Sequence, residues 1–286
     1  MKRLLLILIS SYLLMSACFA QSSVWSVEGN GNTVYLGGTI HILTPEDYPL
    51  PSEFDSAFAW SDIIVFEADL KKMEDPAIIQ KMMTMAMYQD GRTLKGELSP
   101  EAYGLLEEKC TKINLPLEGM QQFKPTMVML IYTVTKMQQS GSTSDGVDQY
   151  FLSKALSNEK GLLYLESVDS QLNLLFGEED EDNSQSVHQF FDDEEKWDNH
   201  LTELKAAWLT GEEKVFKNLQ KEMKNEFPEI YQKMLVDRNE NWVPKIQSYL
   251  DTEGVEFILA GALHMHGPDG MIALLKKEGY KIKSVK

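Results

Sequence analysis

The sequence predicts an α/β protein with a central, mostly parallel sheet assembled from both ends of the chain, two Gly-x-x-His corners and a large helical insertion between them. Three observations predict this. The segments Ile63 to Phe66 and Phe257 to Leu259 are apolar without alternation, as expected of strands covered on both faces. Two phrases of the same pattern, Val34-Tyr35-Leu36-Gly37-Gly38-Thr39-Ile40-His41 and Phe257-Ile258-Leu259-Ala260-Gly261-Ala262-Leu263-His264, each run from an apolar strand into Gly-x-x-His. Between them, residues 124 to about 254 carry helical periodicity, broken by a short strand pattern at Leu162 to Leu165.

In chain order, residues 1–20 read as an export signal. Lys2 and Arg3 precede the apolar run Leu4 to Ile9, a second apolar patch reaches Met15, and Ala17-Cys18-Phe19-Ala20 offers small residues at the cleavage positions. The run is too short for a membrane span, which needs about 20 apolar residues. The protein is therefore expected to be exported, periplasmic or secreted; the alternative is a lipoprotein anchored through Cys18. Residues 21–286 are expected to form one domain, with no later segment suited to crossing a bilayer.

Strands are expected at Val24 to Val27, Thr33 to Gly37, Ile63 to Glu67, Leu162 to Leu165, Phe257 to Ala260 and Tyr280 to Val285, with a hairpin turn at Asn30-Gly31-Asn32. Asp75-Pro76 and Ser99-Pro100-Glu101 open helices by pairing a capping side chain with a first-turn proline. Thr210 and Glu213 read as a capping box before Val215, Phe216 and Leu219. Met82, Met83, Met85 and Met87 fall at helical spacing and read as core packing, not as a soft-metal site. The helical middle is expected to cover the end of the sheet.

The net charge is −17 over 286 residues, and a leader carrying Lys2 and Arg3 but no acid leaves the remainder more acidic still. Such a field repels nucleic acid and anionic lipid surfaces. The acidic runs Glu178 to Asp182 and Asp192 to Glu195 lack calcium-loop spacing and read as a solvated loop and a helix start. Cys18 falls in the leader, so Cys110 has no partner for a disulfide and reads as a small core residue.

The chemistry is expected at the C-terminal ends of the parallel strands, where open sheets bind ligands. His41 and His264 end their strands, the third strand ends in Glu67, and Asp69 would share its pleat face if that strand continued. Two imidazoles and a carboxylate form the ligand set of a catalytic divalent metal, and zinc, manganese, cobalt and iron all suit it. His266 and Asp269 lie beside His264 as supporting partners or a substitute ligand, whereas His188 and His200 read as non-functional. The His-Glu-x-x-His helix and the Gly-x-Ser-x-Gly elbow are both absent.

The chain resembles the TraB/GumN family. The likeness is carried by Trp25 to Glu28, Val34 to Leu43, Tyr48-Pro49-Leu50-Pro51 and Ile64 to Leu70, then Lys124-Pro125, Gly146-Val147-Asp148, Leu165-Glu166-Ser167 with Gln171, Asp237-Arg238-Asn239 with Trp242, and Gly261 to His264. That family is similar to the Tiki metal-dependent peptidases and more distantly to erythromycin esterase and the haem-binding ChaN-like proteins. The resemblance implies two related Gly-x-x-His halves, a site built on His41, Glu67 and His264, and manganese or cobalt dependence; by motif it adds Glu166 and Arg238. His266 and Pro268 depart from the pattern, so a different set of neighbours is expected around His264.

The function expected is a Tiki-like peptidase: metal on His41, Glu67 and His264, Glu166 or Glu67 taking the water's proton, and Arg238 steadying the oxyanion. The alternative is a peptide- or haem-binding module without turnover. A metal-free, esterase-like hydrolase ranks third.

Overall fold

A computed structural model of the chain describes residues 23–41, 43–142, 146–177, 182–192 and 194–286, with side chains outside 194–200. The expected leader with Cys18, most of the acidic run from Glu178, and the His200 side chain lie outside what is described.

The elements run β1 (Val24–Gly29), β2 (Asn32–Thr39), α1 (Ser52–Trp60), β3 (Ile63–Phe66), α2 (Leu70–Met73), α3 (Pro76–Ala86), α4 (Leu94–Glu97), α5 (Pro100–Lys112), α6 (Pro125–Gln139), α7 (Val147–Ser157) and β4 (Gly161–Tyr164). They continue with α8 (Val168–Phe176), α9 (Asn183–Asp192), α10 (Glu194–Thr210), α11 (Glu213–Glu226), α12 (Pro228–Tyr231), a π-helical turn (Gln232–Val236), α13 (Asp237–Tyr249), β5 (Glu256–Gly261), α14 (Met271–Lys277) and β6 (Lys281–Ser284).

Six strands form one sheet in the order β4-β3-β5-β2-β1-β6. The pairs β4/β3, β3/β5 and β5/β2 are parallel, while the β1/β2 hairpin and β6 are antiparallel. The sheet thus joins strands from both chain ends, as the sequence predicts. Register carries the functional consequence. Gly38 lies opposite Ala260 and Thr39 opposite Gly261, so the two Gly-x-x-His strands are neighbours that finish at the same edge. Phe66 lies opposite both Leu259 and Tyr164, which brings Glu67 and the Leu165-Glu166 segment to that edge too.

The missing alternation of the central strands has its reason in layers on both faces. Phe257, Leu259, Ile64 and Phe66 pack with Phe54, Phe151 and Trp208 on one side. Ile258, Ala260 and Val65 pack with Trp242, Ile246 and Leu275 on the other. At about 25 cal/mol per Å² of apolar surface removed from water, these two layers are the main driving force for folding. The helical insertion adds a core of its own, where Cys110 is buried among Leu106, Leu117 and Val128 and its thiol is pushed up to about 11 by burial. Met82, Met83 and Met85 pack against Ala68, Leu172 and Phe176, in keeping with a core role.

Two local expectations are corrected. Thr210 does not cap α11: its Oγ1 donates to the Ala206 carbonyl at 2.9 Å, so α10 runs through it and the chain breaks at Gly211, with φ +69°. Strand β3 stops at Phe66, and Asp69 instead caps α2 by accepting the Lys72 N–H. Its side chain therefore belongs to a helix start and not to the pleat face of Glu67.

Candidate functional site

The four parallel strands end together, and two helices dock on that end to complete the site. The first corner is fastened by α7. The Val147 N–H donates to the Ile40 carbonyl at 3.2 Å, and Gly146 lies so close that a Cβ there would stand 2.7 Å from His41 Cα. The Trp208 indole N–H holds the Gly38 carbonyl at 2.5 Å. This docking brings Asp148, in the first turn of α7, to His41, with Oδ2 2.9 Å from Nδ1. The imidazole is largely exposed, its side chain 71 % accessible against 10 % for Asp148. The Asp148 carboxylate favours the charged imidazole and pushes His41 up to about 9.

The second corner is built differently. After β5 the chain makes a 3₁₀ turn over Ala262–His264, which tucks His264 inward to 5 % accessibility beneath Trp242, whose ring centroid is 4.5 Å away. Nδ1 lies 2.7 Å from Asn239 Oδ1, and Asn239 Nδ2 donates to the Asp269 carbonyl at 2.8 Å. That second bond fixes which way the amide points, so an oxygen faces Nδ1 and the proton belongs on Nδ1, leaving the Nε2 lone pair open. Burial, joined by Arg238 and His41, lowers His264 to about 4 against the pull of Glu67, so it is neutral at pH 7.

Arg238 and Asn239 are consecutive in α13, yet both reach the same imidazole. The π-helical turn just before them changes the helix register and leaves the Met234 carbonyl to accept from Arg238 NH1 at 3.3 Å. NH1 also lies 3.0 Å from His264 Nε2. NH2 donates to Glu67 Oε2 at 2.5 Å and to Glu166 Oε1 at 2.7 Å, and Nε donates to Glu166 Oε2 at 3.2 Å. Glu67 Oε1 accepts the Gly261 N–H at 2.7 Å, and Gln171 Nε2 approaches Oε2 at 3.5 Å. Burial alone would push the Glu67 carboxyl up. His264, Arg238, His41 and the Gly261 N–H outweigh it and hold the carboxylate ionised, near 2.

The structure thus joins Glu67, Glu166, Arg238 and His264 in one contact network, with His41 near enough for its charge to act on Glu67. Asp69 stands aside. His266 is stacked on Phe216 at 4.5 Å and edge-on to Trp25, and does not orient His264; the backbone of Asp269, not its carboxylate, supports the site through Asn239. Asp148 and Asn239 are the site residues that residue-by-residue reading of the sequence passed over. Both lie in the phrases that carry the family resemblance.

Two imidazoles, His264 paired through Nδ1 with Asn239 Oδ1 and His41 ion-paired through Nδ1 with Asp148, beside an ionised carboxylate, are donor chemistry that suits a divalent ion. Among the described residues no three His, Cys, Asp or Glu side chains converge on one point as they stand, and the Arg238 guanidinium occupies the ground between Glu67 and His264. Among the described residues no helix is long and apolar enough to cross a membrane.

The model of the TraB/PrgY/gumN family matches residues 23–284, and the chain belongs to that family. No curated protein and no solved structure gives a match.

Proposed function

We propose that this member of the TraB/PrgY/gumN family is an exported, metal-dependent hydrolase that cleaves peptides outside the cytoplasm. The observation that carries the proposal is the shared arrangement of the two imidazoles. Asp148 holds the Nδ1 edge of His41 and Asn239 holds that of His264, with the ionised Glu67 carboxylate at the same strand ends. His41, Glu67 and His264 would hold a divalent ion, manganese, cobalt or zinc. Such an ion polarises a carbonyl and acidifies water.

The chain's own groups divide the remaining work. Glu166 Oε2, which has the longer of that carboxylate's two contacts to Arg238, accepts the proton of the attacking water. Arg238, anchored by Glu166, offers a planar cation to the carbonyl oxygen as negative charge develops there. Asn239 fixes the neutral His264 ring with its proton on Nδ1, and Asp148 orients His41 through Nδ1, a ring that would give up its Nε2 proton to take the ion. Peptide as the substrate class rests on the resemblance to the Tiki peptidases, and export rests on the leader pattern in residues 1–20.

The contacts around Arg238 also suit binding of a peptide without turnover, because the guanidinium already neutralises the carboxylates around it. One experiment separates the two roles. The mature protein and its His41→Ala/His264→Ala variant are loaded with manganese, cobalt or zinc, assayed for bound metal by elemental mass spectrometry, and offered a peptide library. About one equivalent bound by the parent only, with cleavage that disappears in the variant, supports the hydrolase. Peptide binding without metal and without cleavage overturns it in favour of sequestration.

A further inference from the structure

We propose that Arg238 is a built-in counter-cation that competes with the metal for its ligands and steps back onto Glu166 when the metal binds. The inference rests on the metal reading above and concerns this chain's own guanidinium.

Its contacts are those of a plug. NH1 faces His264 Nε2 at 3.0 Å and NH2 faces Glu67 Oε2 at 2.5 Å, two of the atoms that would ligate an ion. A dication and a guanidinium at that distance from the same carboxylate repel strongly in a largely buried site; Arg238, Glu67 and Glu166 have side-chain accessibilities of 12, 15 and 10 %.

Withdrawal is built into the same contacts, because every nitrogen that would leave a ligand has a second acceptor. NH2 keeps Glu166 Oε1 at 2.7 Å, NH1 keeps the Met234 carbonyl at 3.3 Å, and Nε already rests on Glu166 Oε2 at 3.2 Å. No buried donor is stranded by the move, which would otherwise cost about 1–3 kcal/mol per group. Without metal, the guanidinium prevents two neighbouring carboxylates from standing uncompensated. Arg238 also lies 4.5 Å over the Trp242 ring, so its withdrawal changes the surroundings of that indole.

The test is zinc affinity of the mature protein by calorimetry at fixed pH, for the parent, Arg238→Gln and Arg238→Lys. Removing the charge in Arg238→Gln is expected to tighten zinc binding about 10- to 100-fold. Arg238→Lys, which keeps the charge, is expected to stay near the parent. Weaker binding by Arg238→Gln, or equal affinity, overturns the inference while leaving the metal site in place. If none of the three binds zinc, the same comparison is made with manganese and cobalt; binding of none of these ions overturns the hydrolase proposal itself, and this inference with it. If Arg238→Gln fails to fold, Arg238→Met, which removes the charge while keeping the aliphatic stem over Trp242, decides by the same measurement: tighter zinc binding than the parent upholds the inference, and equal or weaker binding overturns it.

Discussion

His41 and His264 end neighbouring strands in the same Gly-x-x-His phrase, yet their imidazoles are held in opposite protonation states. His41 is mostly exposed and faces the Asp148 carboxylate, which pushes it up to about 9; His264 is buried against a neutral amide and is lowered to about 4. The motif therefore delivers an imidazole to an edge of the sheet, and the helix that docks there decides its proton. At the His41 corner that helix is α7, with an acid in its first turn. At the His264 corner it is α13, whose preceding π-helical turn aims Arg238 and Asn239 at one ring.

The sharpest way to break this contrast is at Asn239, which is 1 % accessible and holds both His264 Nδ1 and the Asp269 carbonyl. Asn239→Ala strands the buried His264 Nδ1–H and the part-buried Asp269 carbonyl and is expected to lower stability by about 3 kcal/mol in chemical denaturation. Asn239→Asp makes the second corner resemble the first. The added carboxylate should raise the His264 pKa by about 1–3 units, followed by NMR titration of the imidazole Cε1–H signals. A His264 that still titrates near 4 in that variant would show that burial, and not the partner, sets its proton.

The glycines give the next effect in size. A Cβ on Gly146 would meet His41 backbone atoms at 2.7–2.8 Å, where nothing flexible can give way, and Gly146→Ala is expected to cost about 2 kcal/mol. At Gly261 the nearest atoms are Glu67 Oε1 at 3.5 Å and His264 Cδ2 at 3.6 Å, and φ is −48°. Gly261→Ala should therefore change stability by less than about 0.5 kcal/mol. Equal losses at the two positions would mean that α7 does not press on the first corner as described.

What the sequence discloses and what it hides follow from how far each signal reaches along the chain. The unalternating runs at Ile63 and Phe257 disclose a sheet covered on both faces, and the repeated phrase discloses two strands finishing together, because both are local patterns of side chains. Glu67 is legible as the residue that directly follows the apolar run of β3. Asp148 and Asn239 are not, because each becomes functional only when its helix meets a strand end distant in sequence. The π-helical turn before Arg238 is hidden as well, because Gln232-Lys233-Met234-Leu235-Val236 is an ordinary helical sequence. Asp69 misleads because pleat alternation places it beside Glu67 only if β3 continues, whereas its own capping bond to Lys72 starts α2.

A small effect is the most diagnostic, since the two corners should tilt the pH dependence of stability in opposite directions. His41 has its pKa raised in the folded state, so its contribution is complete below about 6.5, the ordinary histidine value, and is lost as pH rises toward 9. His264 has its pKa lowered, so the folded state resists a proton that the unfolded chain accepts, and stability is lost as pH falls from about 6.5 toward 4. With the imidazole of His41 so exposed, solvent screening limits its share to about 1 kcal/mol. Asp148→Asn removes the partner that raises His41, so the parent's decline between pH 6.5 and 9 should flatten in denaturant midpoints while the acid limb stays as it was. If both limbs shift together, the two imidazoles titrate as one coupled unit through Glu67, and the separate control of each corner by its own helix is lost.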